Sequence, residues 1–370
     1  MRISDVIEQI ERIAPARLAQ EWDNTGLLVG DVNQRVKNIL LTIDITEAVI
    51  AEAGKLRADM IISYHPVIWD GLKQITSDGS GRVVYKLVRA GIPVYSIHTS
   101  LDVVAGGVND GLADMVGIID AKPIGDYIQD ETRNNYKLIV FVPTGSVDKV
   151  TNAVFEAGAG WIGNYSHCGF NAAGRGSFLP REGSHPAIGK RGKLETVEEI
   201  RFECIVPATR LDVVLAAMKK AHPYEKPAFD VFKLCNPQDS LGLGRIGRLA
   251  KPTRIRQIVA RIKKQTGAKA IGIVGEPNRI VKKAGVCAGY CGKIINMVIA
   301  QKADLYVTGE LKHHQALAAQ EANLTCLCLG HSVSERFILK KLAKQLQNNL
   351  KGVKIAVSKK DTDPFVWKEL

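Results

Sequence analysis

The chain has 370 residues, 46% apolar and 24% charged, proportions that exclude a disordered or collagen-like chain, and its length exceeds the roughly 250–300 residues that one core fills, so two or three domains are expected. Its 50 Lys and Arg against 38 Asp and Glu leave a formal charge of +12, which either draws anionic partners or solvates a basic surface, and no long Lys/Arg run decides between them. No run reaches the ~20 apolar residues that cross a bilayer, Met1-Arg2-Ile3-Ser4-Asp5 lacks the features of a secretory signal, and seven cysteines without dense spacing read as reduced thiols of a cytoplasmic protein.

Ile3, Val6, Ile7, Ile10 and Ile13 recur at helical spacing and predict an opening helix, with Ser4 and Asp5 near its start and Pro15 beyond its end. A strand over 39–43 ends at Asp44, and Thr46 is placed to cap a helix reaching about Leu56. The strand 60–63 runs into Tyr64-His65-Pro66, a helix follows near 83–90, and the strand 94–97 ends at His98. Strands alternating with helices predict βαβ units and a parallel sheet.

After about Gly125 the rhythm changes. A strand over 136–142 is closed by Pro143, and a helix follows at about 147–157. Residues 158–193 then carry Gly at 158, 160, 163, 169, 174, 176, 183, 189 and 192, ahead of a strand at 200–206, a helix at 211–221 and a strand at 229–234. If the Gly-rich region supplies the middle strands, the order is β-α-β-β-α-β, that of a ferredoxin-like unit. Beyond Leu241-Gly242-Leu243-Gly244 the first rhythm returns: a helix at 254–266, strands at 270–274 and 281–286, a helix at 294–301 and a strand at 305–307 leading into Thr308-Gly309-Glu310. A helix to about 321, a strand at 324–329, Gly330-His331 and a long helix over 332–346 complete the chain. The expected organisation is an α/β domain whose halves, 1–125 and 240–370, are split by an α+β insert at 130–236.

His65, His98 and His331 each follow an apolar strand, and Asp102 and Glu335 stand four residues beyond the last two. Ligands of open α/β sheets collect beyond the carboxyl ends of the strands, so these residues are expected along one edge. His331 and Glu335, at i and i+4, share a helix face. Imidazole and carboxylate donors suit zinc, iron or manganese. Singly, each residue also has an ordinary reading: a helix-start His held by a carboxylate, a turn His before Pro66, a hydrogen-bonded core His98. Joint placement at three strand ends leaves the two readings evenly matched. Glu310-x-x-His313-His314 follows a further strand and could ligate, move protons or support a neighbouring ligand. Amides of the turn Gly285–Gly292 could hold phosphate, and its Cys287 and Cys291 are either a metal pair or, the better fit to their spacing, small buried thiols.

Tyr64-His65-Pro66, His98-Thr99-Ser100-Leu101-Asp102, Gly106-Gly107-Val108-Asn109-Asp110, Thr308-Gly309-Glu310 and Gly330-His331-Ser332-x-x-Glu335-Arg336 resemble the Nif-three-like dinuclear metal centre family. Members of that family are often labelled GTP cyclohydrolase type-two homologues. Glu21-Trp22-Asp23-Asn24-Thr25-Gly26-Leu27 is similar to its N-terminal signature, and the likeness covers about 1–125 and 240–370. The resemblance implies metal ligands at His65, Asp102, His331 and Glu335. The family's first His of a His-His pair falls here on Tyr64, a phenol that must lose a proton near pKa ~10 to bind well. One or two divalent ions per subunit (Zn, Fe or Mn) are therefore expected, with Tyr64 the weakest candidate ligand. His98 is a candidate to orient Asp102 or replace a missing nitrogen, and Glu310 and His98 are the candidates to move protons.

His222-Pro223-Tyr224-Glu225 in the insert is similar to a stretch of the CutA/PII-like domain carried by long family members, where structural or regulatory roles are expected; His167 and His185 have no partner spacing. The resemblance implies a metal-dependent hydrolase of a small anionic, nucleotide-like or otherwise phosphorylated substrate, built as a homohexamer without membrane contact. The alternative is a non-catalytic metal-binding or regulatory protein whose insert senses a ligand or partner. Nucleic-acid association through the basic surface is a third class, and it requires affinity that falls steeply with salt.

Overall fold

The computed structural model describes residues 1–125, 135–162, 165–236 and 241–366. Gly163 and the expected domain limits at 130, 240 and 370 lie outside these residues. The chain divides into two compact units, Met1–Ile128 with Gln238–Leu370, and Gln129–Pro237.

In the first unit, α1 (Ile3–Ile13), β1 (Gly26–Val29), β2 (Asn38–Thr42), α2 (Glu47–Leu56) and β3 (Met60–Ser63) come first. Next are α3 (Arg82–Ala90), β4 (Val94–Ser96), α4 (His98–Val103), α5 (Val108–Val116) and β5 (Lys122–Ile124). The second unit holds β6 (Asn135–Pro143), α6 (Val147–Glu156), β7 (Gly169–Phe178), β8 (Glu195–Pro207), α7 (Leu211–Ala221) and β9 (Phe229–Lys233). The first unit resumes with β10 (Gly244–Arg254), α8 (Ile255–Thr266), β11 (Gly272–Val274), β12 (Ile280–Cys287) and α9 (Ile294–Ala300). It closes with β13 (Leu305–Thr308), α10 (His313–Glu321), β14 (Thr325–Cys328), α11 (Val333–Arg336), α12 (Ile338–Asn349) and β15 (Lys354–Val357).

The first unit is a mixed α/β structure with two sheets. One has the order β1-β4-β3-β2-β15, the other β11-β14-β13-β12-β10-β5. The strands that the sequence marks by apolar runs pair in parallel, β2, β3 and β4 in the first sheet and β12, β13 and β14 in the second, and β15, which the sequence does not mark, joins the edge of the first sheet parallel to β2. The expectation of a parallel sheet fails for the outer strands β1 and β11 and for β10 and β5 beyond β12, which pair antiparallel. β10 escapes sequence reading because Arg245, Gly247, Arg248, Lys251 and Pro252 break its apolar pattern. The expected long C-terminal helix is divided into α11 and α12 at Phe337.

One continuous core joins both halves of this unit. It contains Ile3, Val6 and Ile10 of α1, Leu41 and Ile62 of the first sheet, Val286 and Val307 of the second, and Leu339, Leu342 and Leu346 of α12. Inside it Arg245, 2% exposed, donates to Asp110 and to the carbonyls of Gly242, Gly244, Val103 and Val104, which satisfies its buried charge. These bonds tie β10 to the C-terminal end of α4.

In the second unit the sheet order is β7-β8-β6-β9 with every neighbour antiparallel. Leu138, Val140 and Val142 of β6 alternate inward with Phe202, Cys204 and Val206 of β8. They bury against Val150 and Val154 of α6 and Val214 and Met218 of α7. No helix among the described residues is long and apolar enough to cross a membrane.

Candidate metal centre

Strand register explains which residues meet. Thr42, Ser63 and Ser96 are partners across β2, β3 and β4, and the residues two positions beyond them are Asp44, His65 and His98. In the other sheet Cys287, Thr308 and Cys328 are partners, and two positions on come Gly289, Glu310 and Gly330, the last followed by His331. Backbone bonds carry the ladder past the strand ends, from His65 N to Ile43 O, His98 N to Tyr64 O, Gly309 N to Gly289 O and Gly330 N to Gly309 O, each 2.9–3.0 Å. The loops that bear the polar side chains are therefore held as rigidly as the strands.

His65, His331 and Glu335 converge, with one donor atom from each lying within 4.8 Å of the others. His65 Nε2 faces Glu335 Oε2 at 3.4 Å without forming a hydrogen bond, and both atoms are buried with no hydrogen-bond partner. His331 Nε2 lies 3.5 Å from the other oxygen, Glu335 Oε1. Unpartnered buried polar atoms of this kind are costly unless something else satisfies them, and two imidazole nitrogens with a carboxylate form a donor set for a divalent cation.

Each imidazole is oriented from behind by a carboxylate. His65 Nδ1 is 2.8 Å from Asp44 Oδ1, His331 Nδ1 is 2.8 Å from Glu310 Oε1, and His98 Nδ1 is 2.7 Å from Asp23 Oδ1. Such pairing puts the proton on Nδ1 and leaves Nε2 as the free donor. Burial alone would lower the His65 pKa, but the hydrogen bond to Asp44 and the negative charges of Glu335 and Asp44 raise it to about 10. Burial opposes ionisation of Asp44 and Asp23, yet the hydrogen bond and charge of His65 and His98 outweigh it and hold both carboxyls below their ordinary range.

Asp102 does not join the compact group of three. Its carboxylate accepts a hydrogen bond from the Tyr64 hydroxyl, and burial pushes its pKa up to about 7 against the opposing charge of His98. Burial and the charges of Asp102 and Glu335 raise the Tyr64 pKa well above that of a free phenol, so Tyr64 is a neutral donor here. Tyr64 bonds Asp102, while His98 Nδ1 bonds Asp23 and leaves His98 Nε2 as the nitrogen that can serve either expected role. Sequence reasoning passed over Asp44 and Asp23, although Asp44 ends a strand just as His65 and His98 do.

In the turn after β12, two of the amides expected to be free for phosphate are already engaged by side chains. Ala288 N donates to Asn109 Oδ1 and Gly289 N to Ser334 Oγ, both at 2.8 Å. Gly289, at φ +63°, passes so close under the site that an added Cβ would lie 2.5 Å from Glu335 Oε1. Cys287 and Cys326 are buried, and all seven cysteines are free thiols. His313 and His314 are exposed at the start of α10.

Glu335 and His65 form a buried floor, while His331 is 39% exposed on the solvent side. Trp22 and Trp69, at 65% and 54% exposed, stand edge-on to the His98 ring with centroids 5.8 and 5.3 Å away. Asn24 Nδ2 donates to Ile68 O at 2.7 Å and links the two tryptophan loops. A cavity of about 750 Å³ lies elsewhere, within the second unit.

The family description Duf34/NIF3 (NGG1p interacting factor 3) matches residues 1–364. The chain is 38% identical over 366 residues to a Halalkalibacterium halodurans protein named GTP cyclohydrolase 1 type 2 homolog, covering 98% of each. Among solved structures it is similar to a Bacillus cereus protein related to NIF3, with 37% identity, TM-score 0.76, and 100% and 99% of the two chains covered. A Staphylococcus aureus protein matches with 28% identity and TM-score 0.85 at the same coverage.

Proposed function

The chain belongs to the Duf34/NIF3 family, and from that premise we propose a divalent-metal-dependent hydrolase of nucleotide-like or other phosphorylated small molecules. The observation that carries the proposal is the pair of buried, unbonded atoms His65 Nε2 and Glu335 Oε2 beside His331 Nε2. His65, His331 and Glu335 would hold a zinc, iron or manganese ion, and Asp102 and Tyr64 are the candidates to add to a second position. A divalent cation supplies charge that polarises a carbonyl or phosphoryl oxygen and makes water more acidic.

The chain's own residues do the rest. Asp44 and Glu310 fix the tautomers of His65 and His331. Burial pushes the Asp102 carboxyl up to about 7, so with the second position unfilled it can take or give a proton near neutral pH. His98 keeps Nε2 for proton transfer because Asp23 occupies Nδ1. Glu310 serves first to position His331 and is the second candidate to move a proton. Trp22 and Trp69 offer flat apolar faces to a ring-bearing substrate. The names of the curated relatives make GTP the first substrate to try.

The strand order of the second unit supports reading 130–236 as a ferredoxin-like insert of the CutA/PII-like kind, with 1–125 and 240–370 as the host domain. A homohexamer in the cytoplasm completes the reading.

One observation favours the alternative of a non-catalytic metal-binding or regulatory protein: the Tyr64 hydroxyl is committed to Asp102. Elemental analysis of protein purified without added metal, followed by a nucleotide and phosphoester panel with wild type and Asp102→Ala, separates the two. Product release by wild type that Asp102→Ala abolishes supports the hydrolase. Equal residual rates refute catalysis at this centre, and retained metal without turnover supports the alternative.

A further inference from the structure

We propose that the second unit carries a ligand site of its own, a pocket for a nucleotide whose base bears an exocyclic amine. The cavity measures about 750 Å³ and is lined only by residues between Phe141 and Ala228. That volume falls within the ~300–1,000 Å³ of small-molecule sites.

The His222-Pro223-Tyr224-Glu225 stretch contributes Tyr224 and Glu225 to the lining. His222 Nε2 donates to Phe141 O at 3.0 Å, and its Nδ1 accepts from Tyr224 N at 3.1 Å. Burial lowers the His222 pKa, which favours the neutral ring that both bonds require. Glu225 Oε1 accepts from His185 N at 3.0 Å and so pins the segment after β7 as one wall.

Glu199, on the floor, is 8% exposed, and among the described residues its one hydrogen-bond donor is the Tyr224 hydroxyl at 3.1 Å. A carboxylate accepts about four hydrogen bonds, so this buried acceptor has capacity for a ligand N–H. Phe178 and Tyr224 meet edge-to-face at 5.8 Å and supply an aromatic wall.

Four cations line the cavity. Arg175 and Arg201 are paired with Glu198 and Glu203 at 2.7 and 3.0 Å. Arg181 and Lys226 make no ion pair among the described residues, so they are available to an anionic group. A buried acceptor, an aromatic wall and two unpaired cations match an amine-bearing base and a phosphate.

Calorimetry of the full-length protein tests this, with AMP as the probe and inosine monophosphate and tripolyphosphate as controls lacking the amine and the base. AMP is expected to bind one per chain. Its affinity should fall about tenfold or more in Arg181→Ala/Lys226→Ala and survive in Glu335→Gln, which disables only the metal centre. Inosine monophosphate and tripolyphosphate should each bind more weakly than AMP. No saturation by about 1 mM AMP, equal affinity in the double variant, loss of binding in Glu335→Gln, or a control that matches AMP would overturn the proposal.

Discussion

Replacing Asp44 by Asn should uncouple cation uptake from the protonation of His65. In the metal-free protein the His65 pKa is raised to about 10, so a cation must displace a proton at any pH below that value. Affinity should therefore rise about tenfold, or about 1.4 kcal/mol, for each pH unit gained up to about 10. At roughly 2.5 units below the pKa, the competition costs about 3.4 kcal/mol. Asn removes the Asp44 share of the raised pKa, which moves toward 6.5, and the pH dependence flattens. Losing the carboxylate that fixes Nδ1–H also lowers the intrinsic affinity about 10–100-fold, or about 1.4–2.7 kcal/mol. The two effects oppose each other, so the variant binds more weakly in alkaline buffer while the gap narrows toward neutral pH. Competition titration against a chromophoric zinc chelator across this range measures the slopes. Calorimetry in buffers of different ionisation enthalpy counts the protons released, close to one for wild type and fewer for Asp44→Asn. Parallel pH curves, or wild-type uptake without proton release, would refute the reasoning.

Gly289→Ala should destabilise the protein and reduce its metal retention. The residue sits at φ +63°, where a side chain costs about 1–2 kcal/mol, and the new Cβ crowds Glu335 Oε1; urea unfolding with metal analysis checks both, and full retention counts against the placement. Burial pushes the Asp102 carboxyl up to about 7 from an ordinary value of about 3.9, so its contribution to metal-free stability falls as pH rises between those values and stays low above them. Asp102→Asn should therefore be more stable than wild type above about pH 7 after chelation, by up to the order of 4 kcal/mol, and similar near about pH 4, as read by denaturant midpoints. A stability difference independent of pH would contradict that assignment. Arg245→Met leaves Asp110 and four carbonyls without their donor and should cost about 3–5 kcal/mol in the same assay; a loss under about 1 kcal/mol would show that the buried network contributes little.

Much of the scaffold is legible in the amino-acid order, because the apolar runs of β2, β3, β12, β13 and β14 are long enough to stand out by themselves. That His65, His98 and His331 stand just past strand ends is legible for the same reason. The strands β1, β5, β10 and β15 are not, since their pattern is mixed and their pairing partners supply what the local sequence does not. Nor is the role of Tyr64 legible, whose hydroxyl finds Asp102 only through the packing of β3 against α4.

Local periodicity determines where strands and helices form and which polar residues end them, because those depend on neighbours a few positions away. Which carboxylate stands behind which imidazole was decided by tertiary structure alone. Asp44 and His65 are 21 residues apart, Asp23 and His98 75, and Glu335 meets His65 across two sheets. Those distances are set by strand register and by how the two sheets share one core, and neither quantity is written in a window of the sequence.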